Sequence, residues 1–253
     1  MGTIQDKLHF TYNGKSSRDF KIINVSLSNS FFEETFVANK TLNTVYSNSR
    51  RTSLYSGYQL EPLEFDMTLA FENSWDDTIL TNVVNWLYQD SDYYKPLIFE
   101  GNEDRIYYCM PAGTSNIHHV GTNVGYITLR MMTNSPYVFG NVSTIPLKNA
   151  TKAIIDNKGL NNPETKIILT SSVNGEIVIK KGVNTVKITN VKLGEIITMY
   201  PEDEDIVSSM PGRYLYGSVY GDMSNLCLSS GKNDFTITGI SSASVQFQPY
   251  YLR

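Results

Sequence analysis

Leu63-Glu64-Phe65-Asp66-Met67-Thr68-Leu69-Ala70-Phe71 is the stretch that decides the fold. Leu63, Phe65, Met67, Leu69 and Phe71 alternate strictly with Glu64, Asp66, Thr68 and Ala70. Successive side chains of a strand point to opposite faces, so the pattern predicts a strand with one buried face and one wet or contact face.

Upstream, Leu8–Tyr12 alternates apolar and polar residues and runs into Asn13-Gly14. Both turn residues tolerate positive φ, which predicts a tight hairpin, with Phe20–Leu27 as the returning strand. From Phe31 to Tyr58 the pattern is lost: Phe31, Phe32, Phe36, Tyr46, Tyr55 and Tyr58 are scattered among Ser, Asn and Thr. We read this segment as an extended arm or long hairpin. So many aromatics left in water would form a large apolar patch, so a partner surface is expected to cover them, and these six are the candidate oligomer-interface residues.

Downstream, Ile79, Leu80, Val83, Val84, Trp86 and Leu87 recur at spacings of three and four. This predicts an amphipathic helix over 74–87 that packs into the core. Ser74 and Asp77 form a capping-box-like pair at its start, where the acidic Asp76 and Asp77 suit the positive end of the helix dipole. Trp75 and Trp86 are assigned to the same helix, as core residues. Further strands are expected at Lys95–Phe99, Arg105–Met110 and Tyr126–Met132. Ser135-Pro136-Tyr137-Val138-Phe139-Gly140 then breaks the pattern, which sets domains at 1–140 and 141–253.

Beyond that boundary no helix is expected. Short β-branched runs at Ala153–Ile155, Thr165–Leu169, Ile177–Ile179, Val183–Ile188, Ile196–Tyr200, Phe235–Ile237 and Val245–Phe247 lie between turn signals such as Asn174-Gly175, Lys181-Gly182 and Gly231-Lys232. That spacing marks an antiparallel sandwich or jelly roll. The fold class is therefore mainly β, in two domains.

Composition narrows the function. Net charge is −4, divided as −5 over residues 1–140 and +1 over 141–253. There is no basic stripe of the kind nucleic-acid-binding modules carry. Cys109 and Cys227 fall in different domains and are expected to be free thiols. Met1–Asp6 lacks the basic and apolar regions of a signal peptide, and Asp6 stands where myristoylation needs Ser or Thr. With no apolar run long enough to span a bilayer, a soluble product made in the cytoplasm is expected, without membrane insertion. The Asn-x-Ser/Thr sequons, such as Asn24–Ser26, are then chance matches.

The chemistry-bearing residues are sparse. His118 and His119 adjoin in a Gly/Asn loop and His9 lies on a strand, which is too few donors for a metal site. Pro201-Glu202-Asp203-Glu204-Asp205 is the one acidic cluster, but it lacks the spaced ligands and Gly of a Ca²⁺ loop, so a solvated loop is expected. No carboxylate pair can be assigned to glycoside hydrolysis. No GxSxG, P-loop or GxGxxG motif is present. No catalytic, cofactor or metal residue is expected. Tyr214, Tyr216 and Tyr220 are able to stack on a sugar ring, although sheet-face or interface tyrosines are commoner.

The order of these elements resembles the distal tail protein family of long-tailed bacteriophages, over nearly the whole chain. The motifs that carry the resemblance begin with Phe10-Thr11-Tyr12-Asn13-Gly14-Lys15-Ser16-Ser17-Arg18-Asp19-Phe20, an aromatic strand, a Gly turn and a polar-Asp-Phe step. The alternating strand leading to the Trp86-Leu87 helix follows. Leu97-Ile98-Phe99-Glu100 and Tyr107-Tyr108-Cys109-Met110 come next. In the second domain Asn157-Lys158-Gly159 with Asn162–Ile167 is similar to the family's first strand there, and Val245–Tyr250 to its last. The departure is at Phe31–Ala38, where Phe-Phe-Glu-Glu replaces the family's Pro-containing segment.

The resemblance implies an N-terminal β-sandwich with a flanking helix and an extended hairpin, six copies of which form a ring that continues the tail tube. It implies a galectin-like C-terminal sandwich that projects outward and docks receptor-binding or baseplate proteins, with a tail-associated lysin or tip protein beneath. DNA would pass through the lumen without specific binding, and a mildly acidic wall would avoid trapping it. The main alternative is a carbohydrate-binding adhesion protein, since fold does not fix function. A tail-tube or adaptor protein from another position in the tail is a further one.

Overall fold

The computed structural model describes residues 4, 7–25, 35, 37–46, 51–88, 93–121 and 123–252. The chain forms two compact units, residues 1–139 with 252–253, and residues 140–251.

The first unit opens with β1 (Phe10–Tyr12) and β2 (Lys15–Ser16). They are joined by Asn13 and Gly14 at φ 49° and 74°, the paired positive values of a tight hairpin turn. The returning strand is only these two residues. Ser16 then caps a 3-10 turn over Ser17–Phe20, with the Asp19 carboxylate accepting from the Ser16 N–H, and Lys21 leaves in the left-handed region. That turn redirects the chain, so β3 (Ile22–Asn24) pairs at the other end of the sheet instead of returning along β1 as expected.

β4 (Lys40–Val45) and β5 (Leu54–Leu60) form a separate two-stranded hairpin. The chain continues through β6 (Glu64–Phe71), the helix α1 (Asp77–Tyr88), β7 (Lys95–Phe99), β8 (Ile106–His119), β9 (Gly125–Thr133) and β10 (Val138–Phe139). The main sheet is antiparallel in the order β2-β1-β7-β8-β9-β6-β3. The segment ahead of β1 reaches β3, where the Asn24 N–H donates to the Leu8 carbonyl at 2.8 Å. Leu63, Phe65, Met67 and Leu69 point into the core as the alternation predicts.

α1 covers that core with Val83, Trp86 and Leu87, while Ile79 and Leu80 are half-buried. Three details differ from the sequence reading. The N-cap is Asp76, whose carboxylate accepts from the Ile79 N–H at 2.8 Å, not Ser74. Val84 faces solvent, because a helix three turns long buries a narrower stripe than its apolar residues offer. Trp75 precedes the helix and packs on Phe71 and His119. β8 also runs on past Met110 through a bulge between Ala112 and Asn116, so His118 and His119 sit on a strand, not in a loop. Gly125 lets the hairpin close beneath Trp75: a Cβ there would lie 1.8 Å from the His118 carbonyl oxygen.

The second unit is a β-sandwich. Its strands are β11 (Ser143–Leu147), β12 (Ala153–Asn157), β13 (Thr165–Ser171), β14 (Gly175–Lys181), β15 (Asn184–Val191), β16 (Ile196–Tyr200), β17 (Asp205–Ser208), β18 (Val219–Tyr220), β19 (Gly231–Thr238) and β20 (Ile240–Phe247). One antiparallel sheet runs β11-β20-β13-β16-β17 and the other β12-β19-β14-β15-β18. Their inner faces meet in a core of Ile, Leu and Val around Phe235 and Phe247. β11, β17 and β18 were not legible as strands, and Gly231-Lys232 begins β19 instead of making a turn.

An ion pair with a buried carboxylate braces one edge of this sandwich. The fully buried Glu195 accepts from Arg213 Nε at 2.5 Å, from the Ser208 hydroxyl at 2.6 Å and from the Lys192 N–H at 2.8 Å. Burial alone would raise its pKa, but the donors outweigh it and hold the carboxyl below the ordinary range.

Candidate assembly interface

The β4–β5 hairpin departs from ordinary burial. Every residue of β4 is exposed, and so are Leu54, Tyr55 and Tyr58 of β5. Cross-strand pairing of Lys40 with Leu60, Leu42 with Tyr58 and Thr44 with Tyr55 places an apolar row on one face. Thr41, Asn43 and Gln59 lie on the other, together with the exposed Val45–Leu54 pair. Lys40 Nζ sits 3.9 Å from the Tyr58 ring centre. At the root, Glu61 accepts from Asn39 and Thr41, each at 3.0 Å, which fixes where the hairpin leaves the sheet. Glu61 is held below the usual carboxylate range by those two hydrogen bonds.

A two-stranded hairpin with both faces open is marginal in water, because neither face buries apolar area. Tyr46, Tyr55 and Tyr58 of the candidate set lie on or beside it, at 82%, 62% and 51% exposure. Phe31, Phe32 and Phe36 lie outside the described residues.

A second exposed element is the outer part of the β8–β9 hairpin. There His118 stacks on Tyr126 with ring centres 4.6 Å apart, and Ile117, Val120 and Val124 face solvent. The outer face of β6 and β9 carries an Arg130–Glu64 ion pair, Asp66, Thr68 and Thr128.

In the second unit Tyr214, Tyr216 and Tyr220 are exposed, and the Tyr216 hydroxyl donates to Asp205. Tyr220 pairs with Lys187 at the sheet edge. A hollow of about 320 Å³ lies on the outer side of the other sheet, lined by Glu164, Lys166, Tyr200, Gln246 and Gln248. Of the acidic run, Glu202, Asp203 and Glu204 are exposed. Cys109 and Cys227 are both free and buried, and burial pushes each thiol up. No three His, Cys, Asp or Glu side chains converge as a metal site among the described residues. None of the described helices is long and apolar enough to cross a membrane.

Residues 5–135 match the family model described as the phage tail protein N-terminal domain. The chain is 27% identical to the SPbeta prophage-derived uncharacterized protein YomH of Bacillus subtilis, over 98% of this chain and all of that protein. Among solved structures it is similar to the Dit protein of phage SPP1, described as a paradigm of the hub adsorption apparatus in phages infecting Gram-positive bacteria. That likeness has a TM-score of 0.70 at 14% identity and covers 96% of this chain and 99% of that one.

Proposed function

The chain belongs to the phage tail protein family defined by that N-terminal domain, and from this premise we propose that it is a distal tail protein, a non-enzymatic hub that joins the tail tube to the tail tip. The observation that carries the reading is the fold likeness to the SPP1 hub protein over both units, not the first alone. Six copies form a closed ring through the first unit, with the aromatic hairpin covered by a neighbour. A repeated heterologous contact whose rotation closes is the way one chain makes a ring. The second unit is a galectin-like sandwich that docks receptor-binding or baseplate proteins. The tail tube protein and a tail-associated lysin or tip protein bind the two sides of the ring, and DNA passes through without specific contacts. Gold-labelled antibody against the protein, imaged on intact virions, should mark one spot at the tail tip. Label along the length of the tail would assign it to the tube instead.

One observation favours a second reading, sugar binding by the sandwich. Tyr200 offers an aromatic face beside Glu164, Lys166, Gln246 and Gln248 in the 320 Å³ hollow, the combination of stacking ring and polar groups a sugar site uses. A glycan array separates the readings: binding lost in Tyr200→Ala supports it, and a blank array leaves the hub function alone.

A further inference from the structure

We infer that the outer face of the sheet β12-β19-β14-β15-β18, in the second unit, binds a polyhydroxylated chain whose units are joined through phosphate. The site lies on the opposite sheet from the hollow beside Tyr200 and does not depend on the ring reading. Alternation builds it. Ile177, Ile179, Val186, Ile188, Phe235 and Ile237 are buried inward, so the residues between them point out. Val178 and Lys180 of β14, Thr185 and Lys187 of β15, and Thr236 and Thr238 of β19 line a hollow of about 560 Å³. Register fixes their places: Lys180 stands between Thr185 and Thr236, and Val178 between Lys187 and Thr238. Lys180 and Lys187 are therefore diagonal neighbours on adjacent strands, about 7–8 Å apart at the backbone, and both flexible ammonium groups can reach one anion.

The lining carries two ammonium groups, three hydroxyls and no carboxylate. At its margin Lys152 holds Asp234 at 2.8 Å, and Glu176 stands 3.7 Å from Lys187. Both are exposed pairs, worth little, so Glu176 yields Lys187 to a stronger anion. Among the described residues, no side-chain hydrogen bond or ion pair within the chain engages Lys180, Thr185, Thr236 or Thr238. Lysine is a point charge that suits phosphate oxygens, whereas the planar fork that matches a carboxylate belongs to arginine, which the lining lacks. Threonine hydroxyls both donate and accept, as a polyol requires.

Other occupants fit less well. A protein segment would look for an apolar pocket to anchor in, and the lining offers only the half-buried Val178. A nucleic-acid strand would look for rings on which successive bases stack. Tyr220, opposite Lys187 at the sheet edge, offers a platform for one repeat unit, not for a run of bases.

The test titrates the full-length protein with poly(glycerol phosphate) by calorimetry. Binding is expected at low salt and should weaken at high salt, where exposed charges are screened. Neutral dextran, poly-glutamate and single-stranded oligodeoxythymidylate should not bind under the same conditions. Lys180→Gln should weaken binding about tenfold, by loss of a charge-assisted contact, and Thr185→Val about threefold. Glu176→Gln should tighten it about twofold by releasing Lys187, a gain that misfolding cannot produce. All three positions are exposed, so these variants should melt with the parent. Tyr200→Ala, in the other hollow, should change nothing. Binding that survives Lys180→Gln combined with Lys187→Gln, or that is lost in Tyr200→Ala, overturns the assignment. So does a comparator that binds as tightly: poly-glutamate would point to an acidic protein, the oligonucleotide to nucleic acid, and dextran to an uncharged glycan. No binding at low salt also overturns it, and leaves the hub reading standing.

Discussion

The indole N–H of Trp86 donates to the backbone carbonyl of Tyr12 across 2.9 Å, tying α1 to β1. Phe10 and Phe20 stack on the same indole, at 5.7 Å and 4.2 Å between ring centres. Trp86→Phe keeps an aromatic ring but leaves the Tyr12 carbonyl without this donor, at a cost of about 1–3 kcal/mol. Trp86→Ala also empties the site and should cost about 3–5 kcal/mol. Calorimetric scans should show both losses in the transition of the first unit, with Ala the lower. Equal melting of all three proteins would mean that the indole does not organise this core.

Val83 and Val84 are neighbours on α1, one buried and one facing water. Val83→Asp buries an unpaired carboxylate and is expected to cost several kcal/mol, about the top of the usual mutational range. Val84→Asp should stay within about 0.5 kcal/mol of the parent. Chemical denaturation of the two variants checks the helix orientation, and a reversed order would contradict it.

Glu195 makes the second unit pH-dependent. Its folded-state pKa lies below the ordinary 4.5, so its contribution is complete above that value and is lost as pH falls through the folded pKa. Glu195→Gln should be less stable than the parent at pH 7, with the gap closing below pH 4.5. A gap unchanged down to pH 3, roughly one to two units below an ordinary carboxyl, would exclude the ion pair as its source. Arg213→Met leaves the carboxylate buried and should cost about 3 kcal/mol, at the low end for such pairs because Arg213 keeps contact with solvent.

The features that the sequence showed most clearly are those in which one face is buried. Leu63–Phe71 alternates because the core takes every second side chain. Asn13-Gly14 is legible because the turn itself demands positive φ. β4 and β5 are hard to read for the converse reason: within one chain both faces are open, and apolar residues stand on each, Leu42 and Tyr58 on one and Val45 and Leu54 on the other. β11, β17 and β18 lie at sheet edges, where pairing on one side tolerates irregular patterns. β8 continues past the expected Met110 because the structure absorbs Pro111 and Gly113 at and beside a bulge between Ala112 and Asn116. Of the candidate interface, Tyr55 and Tyr58 were readable as aromatics in need of cover.

The two units should divide the labour of assembly. Expressed separately, residues 1–140 are expected to form a closed oligomer at high concentration, and residues 141–253 to stay monomeric. The exposed aromatic hairpin lies in the first. Sedimentation velocity of each fragment checks this. An oligomeric second fragment beside a monomeric first would reverse the assignment.

Negative-stain imaging of the purified full-length protein tests the hub reading most directly. The account predicts closed rings of uniform diameter with six-fold class averages and an open centre. Single particles without rings at high concentration, or rings stacked end to end into long tubes, would contradict it.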